Sequence, residues 1–361
     1  MVDVEGTGTP RRAQIVGTGL IGGSVGLALR SLGWFVTGSD GADGAAERAL
    51  ELGAVDAIGS DPVAELVVLA VPVGAVASTA ARALEDHPRA VVTDVGSVKG
   101  PIVATVDHPR FVGGHPMAGS EQEGVDGSTA DMFAGAVWVL TPTDATDPEA
   151  YALVHSLATA FGADVVTLSP DAHDQTVAVI SHVPHLTAAT LMRLASTKAD
   201  EHATVLRLAA GGFRDMTRIA AGHPGIWPDI CAENRTAIVE TLDQLIAELG
   251  SVRDAVAAAD RVELLAGLDG ARQARLNLPT TALRPDDLAE LRIAVSDEPG
   301  QLAAVTTTAT DLGVNIYDIE LAHSAEGPRG VMILVVDEAA ADGFVERLDA
   351  LGYRATVRSL A

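Results

Sequence analysis

Along the first half of the chain, short apolar runs alternate with longer stretches whose apolar residues recur at helical spacing. Ala13–Val16 predicts a short strand ending in glycines, Gly22–Leu32 a helix and Phe35–Gly38 the next strand. Ala64–Val71 and Ala90–Val95 are further apolar runs, each closed by polar or glycine punctuation. Strands alternating with helices imply a parallel sheet with right-handed crossovers, so a doubly wound α/β domain is expected over residues 11–169. After about Ser169 the strand signals stop. Asp171–Leu268 is rich in alanine and leucine at helical period, with breaks at Pro184, Gly211-Gly212 and His223-Pro224-Gly225. This predicts an all-helical domain, set at residues 170–280. Asn277–Asp287 carries two prolines and reads as a linker. From Leu288 the alternation returns. Leu291–Val295, Asn315–His323 and Val331–Val336 read as strands, Gln301–Leu312 and Ala339–Leu351 as helices. A β-α-β-β-α-β order is ferredoxin-like, and predicts a small third domain over residues 288–361.

Composition narrows the class. A chain of 361 residues exceeds one typical core and agrees with two or three domains. No run of about 20 residues lacks charge or punctuation, so no membrane span is predicted. Met1–Pro10 is acidic and glycine-rich, without the basic and apolar regions of a secretion signal, and predicts a disordered lead-in. The single Cys231 rules out an internal disulfide and fits a reducing cytoplasm. The formal charge of -25 repels nucleic acid and anionic membranes, so neither is expected as a partner. An anionic substrate would need a locally positive pocket. Lysine occurs only at Lys99 and Lys198, so arginine must supply most of that charge.

Gly17-Thr18-Gly19-Leu20-Ile21-Gly22 matches G-x-G-x-x-G. Alone the match is weak, but here it follows a strand and opens a helix, which is the context that gives it meaning. Gly17 permits the tight turn, Gly19 lets the backbone approach a pyrophosphate, and Gly22 allows close helix–strand packing. The helix start then offers unpaired N–H groups to the phosphates. The next strand ends at Asp40, where an acid holds a ribose 2′-hydroxyl and repels a 2′-phosphate. No arginine follows in Gly41 or Ala42. The reading is a Rossmann-type domain that binds NAD rather than NADP, with Gly17 to Gly22 and Asp40 as the cofactor residues.

Further segments carry chemistry. Thr93-Asp94-Val95-Gly96-Ser97-Val98-Lys99 lies at the carboxyl end of an apolar strand, where ligands bind in open α/β sheets. Gly113-Gly114-His115-Pro116-Met117-Ala118-Gly119-Ser120-Glu121 reads as a polar, glycine-hinged loop. His173-Asp174 and Ser181-His182-Val183-Pro184-His185 fall in the helical region, as do Gly211-Gly212-Phe213-Arg214-Asp215-Met216-Thr217-Arg218 and Trp227. From about Ala13 to Leu268 the chain resembles the prephenate and arogenate dehydrogenases of tyrosine biosynthesis. The combination of the serine–lysine segment, the HPMAGSE loop and the SHVPH segment carries the resemblance. Asp297-Glu298-Pro299-Gly300-Gln301-Leu302 and Leu312-Gly313-Val314-Asn315-Ile316 resemble an ACT domain. Such domains commonly bind amino acids or mediate assembly.

The resemblance implies NAD-dependent oxidative decarboxylation of a cyclohexadienol, with prephenate favoured over arogenate. It implies that His115 accepts the hydroxyl proton and that Ser97 shares that hydroxyl or orients the histidine. A neutral imidazole is basic enough for this near neutral pH, whereas an ordinary carboxylate is not. Arg218 matches the arginine that grips a substrate carboxylate, for which a guanidinium fork is suited. Asp215 would hold Arg218 as an ion-pair partner, or the pair could be purely structural. Glu121 is expected as an orienting carboxylate at the pocket mouth, and His173 and His185 near the substrate. Lys99 could add positive potential, cap a helix or sit in solvent. Trp227 could be a pocket wall or a helix contact.

His182 and His185 share a helix face, but no further ligands complete a metal site, and none is expected. Pro184 should kink its helix. A homodimer through the helical domain is implied by the resemblance, as is a possible tyrosine effector at the ACT domain. Two other readings stay open on the residues alone. One is a 3-hydroxyacid dehydrogenase, for which Lys198 is the only candidate lysine in the helical region. The other is a non-enzymatic nucleotide and amino-acid sensor, which would have no reason to hold His115, Ser97 and Arg218 together.

Overall fold

A computed structural model describes residues 10–120, 122, 124–201, 206–222, 224–277, 288–296, 298–323 and 329–359. The linker expected after Asn277, together with Glu121, His223 and Asp297, lies outside the described residues. The chain divides between Ser251 and Val252 into two compact units.

The first unit opens with β1 (Arg12–Val16), α1 (Leu20–Ser31), β2 (Phe35–Ser39), α2 (Ala45–Glu51), β3 (Ala57–Ile58), β4 (Leu66–Leu69), α3 (Val73–Asp86) and β5 (Val91–Asp94). It continues through α4 (Gly100–Thr105), β6 (Phe111–Pro116), β7 (Val137–Thr141), α5 (Pro148–Ala160) and β8 (Asp164–Thr167). These strands form an eight-stranded sheet in the order β3-β2-β1-β4-β5-β6-β7-β8. The sheet is covered on both faces, as the near-continuous apolar run of β4 requires. Leu66 and Val68 enter one core with Ile15, Val36 and Leu140. Val67 and Leu69 enter the other with Val76, Ile102 and Phe111. Successive residues thus serve opposite faces, following the period of two of a strand.

The expected all-parallel sheet is corrected at one point: β6 and β7 pair antiparallel, Gly113 opposite Thr141 and Pro116 opposite Trp138. An antiparallel return needs no crossover helix, and among the described residues only a short 3₁₀ turn, Val125–Gly127, lies between these strands. The expected loop around His115 is corrected as well. Phe111 to Pro116 is a strand buried along its whole length. Its glycines serve packing rather than hinging. A Cβ at Gly113 would lie 2.4 Å from Thr141 Oγ1, and one at Gly114 would lie 2.7 Å from Asp94 O.

Helices follow: α6 (Pro170–Val177), α7 (Val183–Glu201), α8 (Gly211–Thr217), α9 (Trp227–Glu233) and α10 (Arg235–Ala257), the last crossing the unit boundary. Ser169 caps α6 by accepting from Ala172 N at 3.2 Å, and Pro170 sits at its first turn, where a missing N–H costs nothing. The break expected at Pro184 is a π turn over Ala178–His182, just before the proline. Such widened turns gather at functional sites, and this one carries Ser181 and His182.

The second unit holds α11 (Arg261–Leu276), β9 (Leu288–Ser296), α12 (Gln301–Asp311), β10 (Ile316–His323), β11 (Arg329–Asp337), α13 (Glu338–Ala350) and β12 (Arg354–Ser359). Its sheet runs β10-β11-β9-β12, antiparallel at every pairing. Leu291 and Ile293 of β9 alternate with exposed Arg292 and Ala294. One face therefore meets Val305 of α12 and Phe344 and Leu348 of α13 in a core.

Candidate active site

The glycine turn between β1 and α1 is built as its spacing requires. Gly17 has a φ of +94°, and a Cβ there would lie 2.2 Å from Ala70 O. A Cβ at Gly22 would lie 1.9 Å from Gly17 O, so the helix can approach only if that position is bare. A Cβ at Gly19 would meet nothing within 4 Å. Packing inside the chain therefore does not require that glycine, whereas close approach of a pyrophosphate would. No side chain caps the N-terminus of α1, which leaves its first N–H groups for an anion. Asp40 directly follows β2 and faces the same turn. Its Oδ2 accepts from Thr18 N at 2.6 Å and its Oδ1 from Ala42 N at 2.9 Å. A cavity of about 420 Å³ runs from Gly19–Gly22 past Ala70–Val73 and Val95–Ser97 to Ile226 and Ile230. Its floor is the carboxyl end of β1, β4 and β5. The residues present fit a dinucleotide.

A second cavity, of about 280 Å³, shares Ser97, Ile226 and Ile230 with the first. Its other walls are His115 to Gly119, Ser181, His182 and Trp227. Ser97 thus stands where the two cavities meet. His115 is buried in β6, and its Nδ1 lies 2.8 Å from Nε2 of His173 on α6. His173 Nδ1 in turn donates to Asp174 Oδ1 at 2.7 Å. Asp174 also accepts from Lys99 N and Gly100 N, each at 2.8 Å, at the start of α4. Its backbone carbonyl accepts from Asn234 Nδ2 at 2.8 Å, and the same amide lies 3.2 Å from His182 Nδ1.

Burial, reinforced by His173, Lys99 and His182, holds the His115 pKa well below the usual imidazole value. His182 is lowered to about 4, chiefly by burial. Both rings are therefore neutral at neutral pH. Lys99 is wholly buried and ion-paired with Asp94. This overturns the solvent reading of Lys99 and neutralises most of the potential it would add. Burial lowers its pKa against the pull of Asp94. Asp94 also accepts from Gly96 N at 2.9 Å and Gly114 N at 3.2 Å, so it ties the serine segment to the strand of His115.

The sequence-predicted residues separate here. His115, Ser97 and Trp227 share the cavity. His173 stands behind His115, fully buried, and lines neither cavity. His185 stacks on Trp227 at 3.7 Å and 17°, while His182 meets the same indole edge-on at 6.2 Å. Arg218 begins an exposed 3₁₀ turn, Arg218–Ala221, and lines neither cavity. That turn leads to Gly222, where a Cβ would lie 3.8 Å from the His185 ring. Asp215 is exposed on α8, and Glu121 is outside the described residues. Asp174, Ser181 and His182 lie in segments that the sequence singled out without giving them a role at the site, and Asn234 was not singled out at all. The signal for His182 was present, in its spacing from His185. Asn234 gave none. Among the described residues, no group of three or more His, Cys, Asp or Glu side chains could hold a metal ion. No described helix is long and apolar enough to cross a membrane.

Residues 25–167 match the family model described as prephenate dehydrogenase, nucleotide-binding domain. Residues 169–269 match prephenate dehydrogenase, dimerization domain. The chain is 34% identical to a prephenate dehydrogenase of Bacillus subtilis over 88% of this chain and 90% of that protein. A crystal structure of prephenate dehydrogenase from A. aeolicus, in complex with hydroxyphenyl propionate and NAD+, superposes with a TM-score of 0.71 at 30% identity, covering 76% of this chain and all of that one. Synechocystis arogenate dehydrogenase superposes at 0.64 and 31% identity, over 73% of this chain and 98% of that one. With both family models matched in succession, and with the glycine turn opening onto the histidine cavity, the chain belongs to the prephenate dehydrogenase family.

Proposed function

We propose that the protein is an NAD-dependent prephenate dehydrogenase, carrying out oxidative decarboxylation of prephenate to 4-hydroxyphenylpyruvate. The observation that carries this reading is the placing of a buried, neutral His115 and Ser97 in one cavity that continues into the glycine-turn cavity. Gly17 to Gly22 and Asp40 would hold the dinucleotide. When bound, NAD would supply the acceptor for the hydride that leaves the ring carbon bearing the hydroxyl. His115 takes the hydroxyl proton, with Ser97 sharing the same oxygen. The ring carboxylate leaves as carbon dioxide, its bonding electrons close the aromatic ring, and the proton returns to the phenolic oxygen. Arg218, with Asp215 beside it in sequence, is assigned the substrate carboxylate. Trp227, backed by His185, walls the ring, and His173 serves from behind His115. Glu121 is assigned an orienting role at the mouth.

The proposed domains are 11–169 for the nucleotide, 170–280 for the substrate and a homodimer contact, and 288–361 for an ACT domain. The support for the last is its antiparallel β10-β11-β9-β12 order with both helices in one core, the ferredoxin-like arrangement. Tyrosine is its proposed effector, at the turn before α12 and near Asn315. A reducing cytoplasm suits the lone Cys231.

The testing experiment follows reduced cofactor by absorbance with NAD and either prephenate or arogenate. Rapid reduction with prephenate and little with arogenate is expected. The reverse moves the substrate to arogenate, the reading favoured by the likeness to the Synechocystis protein. Silence with both, despite NAD binding, removes the reading. Activity that is unchanged at millimolar tyrosine would remove the effector.

A further inference from the structure

Two histidines wall the small cavity, and one residue outside it touches both of their supports. The residue is Asp174. Its side chain and its backbone carbonyl act in different directions. A carboxylate only accepts hydrogen bonds, so the 2.7 Å contact places the His173 proton on Nδ1. In the neutral pair, His173 Nε2 is then an acceptor, and the 2.8 Å contact to His115 must be donated by His115 Nδ1–H. His115 is left with a bare lone pair on Nε2. On the other side, a carbonyl also only accepts. The 2.8 Å contact to Asp174 O therefore fixes the Asn234 amide with its NH₂ group inward. The same NH₂ group faces His182 Nδ1 at 3.2 Å, which makes Nδ1 the acceptor and puts the His182 proton on Nε2.

We propose that Asp174 is a positioning residue that imposes opposite tautomers on the two cavity histidines, making His115 Nε2 the proton acceptor and His182 Nε2–H a donor to an acceptor oxygen of the substrate. The proposal rests on the reading of His115 as the group that takes the hydroxyl proton. The hydroxyl O–H bond breaks, its proton joins His115 Nε2, and the Nδ1–H stays directed at His173. The imidazolium so formed lies at the end of a chain terminated by the Asp174 carboxylate. The proton goes back to the phenolic oxygen once the ring is aromatic. His173, Lys99 and His182 oppose the positive charge, Asp94 is engaged by Lys99, and the Asp174 carboxylate bound to His173 stands as the counter-charge at the end of the chain. Both cavity rings are neutral near pH 7, so each has a defined tautomer to impose.

The same carboxylate accepts from Lys99 N and Gly100 N, so a purely structural clamp on the start of α4 is the competing account. Nitrogen-15 NMR of the full chain with labelled histidine separates the two, because ring nitrogen shifts report which nitrogen carries the proton. The expected result is Nδ1–H at His115 and at His173 and Nε2–H at His182, assigned by comparison with single His→Asn variants. An Nε2–H signal at His115 in the unaltered protein overturns the proposal, whatever any variant does. Kinetics give the second arm. Asp174→Asn should lower kcat on the order of 10²-fold, because loss of the orienting carboxylate of a catalytic histidine admits the wrong tautomer. NAD affinity should stay within a few-fold, and the acid limb of the kcat profile should move. Asn234→Asp should instead raise the substrate KM about 10-fold with His115 still Nδ1-protonated, since an aspartate would accept from His182 and turn its proton inward. An unmoved pH profile and kcat within 3-fold in Asp174→Asn leave only the clamp. Near-normal turnover in His115→Asn would sink the functional reading and not the tautomers, which the spectrum decides separately.

Discussion

At the nucleotide end of the cleft, Gly17, Gly19 and Gly22 stand within one turn of chain, and what they supply is backbone: a φ of +94° at Gly17 and uncapped N–H groups at the start of α1. At the histidine end, the groups are side chains gathered from β6, α6, the π turn and α9, with contacts bridging 58 residues from His115 to His173 and 75 from Lys99 to Asp174. The first end tolerates almost no side chain. The second is built mainly of side chains, with the Asp174 carbonyl and the Lys99 and Gly100 N–H groups as their backbone anchors. Damage at the two ends should therefore differ in kind. Backbone sites fail by losing shape, and so by losing affinity. A buried side-chain relay fails by losing chemistry while the shape persists.

The sharpest test of that contrast is His115→Asn. Asparagine retains polarity at a buried position but offers no titratable nitrogen. Turnover should fall about 10²- to 10⁴-fold, the usual worth of a general base. NAD affinity, measured by fluorescence quenching or calorimetry, should be unchanged, since the glycine turn lies outside the relay. A parallel loss of NAD affinity would erase the distinction between the two ends. The reciprocal change is Gly22→Ala. The new Cβ would lie 1.9 Å from Gly17 O, with Ala70 Cβ at 2.9 Å, so backbone must shift. Forced overpacking costs roughly 1–3 kcal/mol, which corresponds to about a 5- to 150-fold rise in the NAD Kd if the strain is relieved by opening the turn. The pH dependence of whatever turnover remains should match that of the unaltered enzyme.

The same contrast explains what could be read from the chain. The glycine turn, Asp40 and the strands of the first sheet were legible because each depends on residues close in sequence. Val67 and Leu69 alternate with Leu66 and Val68 whichever neighbours they meet. The strand around His115 was not legible. Its two glycines look like hinges until Thr141 Oγ1 and Asp94 O are seen pressing against them from distant strands. Lys99 carried no mark of burial, because its partner Asp94 reads equally well as the polar end of a strand. Ser97, His115 and Trp227 line one cavity, and each lay in a segment that could be singled out from the chain, but the ring of supports behind them could not. Asn234 has no motif around it, and its role exists only because α10 begins where the carbonyl of Asp174 can be reached.

A smaller effect is expected at Asp40, where the two ends differ in how much redundancy they have. Asp40→Asn keeps one oxygen, which can accept from Thr18 N but leaves Ala42 N without its acceptor, so the turn loses one of its two hydrogen bonds while the fold should survive. What is lost is the negative charge that repels a 2′-phosphate. Preference for NAD over NADP, measured as a ratio of kcat/KM, should fall about 10-fold, the equivalent of about 1.4 kcal/mol. An unchanged ratio would mean that shape, rather than charge, excludes the phosphate.

The smallest effect concerns stability, and it too belongs to the histidine end. The glycine turn contains no group that titrates, whereas His115 and His182 are held neutral by burial, His182 with a value of about 4. In the unfolded chain both return to about 6.5. Above that pH neither state binds the proton, and their contribution is fully present. As pH falls below 6.5, the unfolded chain takes up protons that the folded chain refuses, so stability drains away until the folded values are reached. For each such ring the slope cannot exceed about 1.4 kcal/mol per pH unit. Carboxylates work the other way here, because the formal charge of -25 is relieved as they protonate. The measurement must therefore be a difference. Tm is followed from pH 7.5 to 5 in the unaltered enzyme and in His182→Asn, which keeps a polar partner for Asn234. The variant should lose stability less steeply over that window, while the two curves run parallel above pH 7. Parallel curves throughout would mean that His182 is protonated in the folded enzyme as readily as in the unfolded chain, and that the histidine end is wetter than its burial implies.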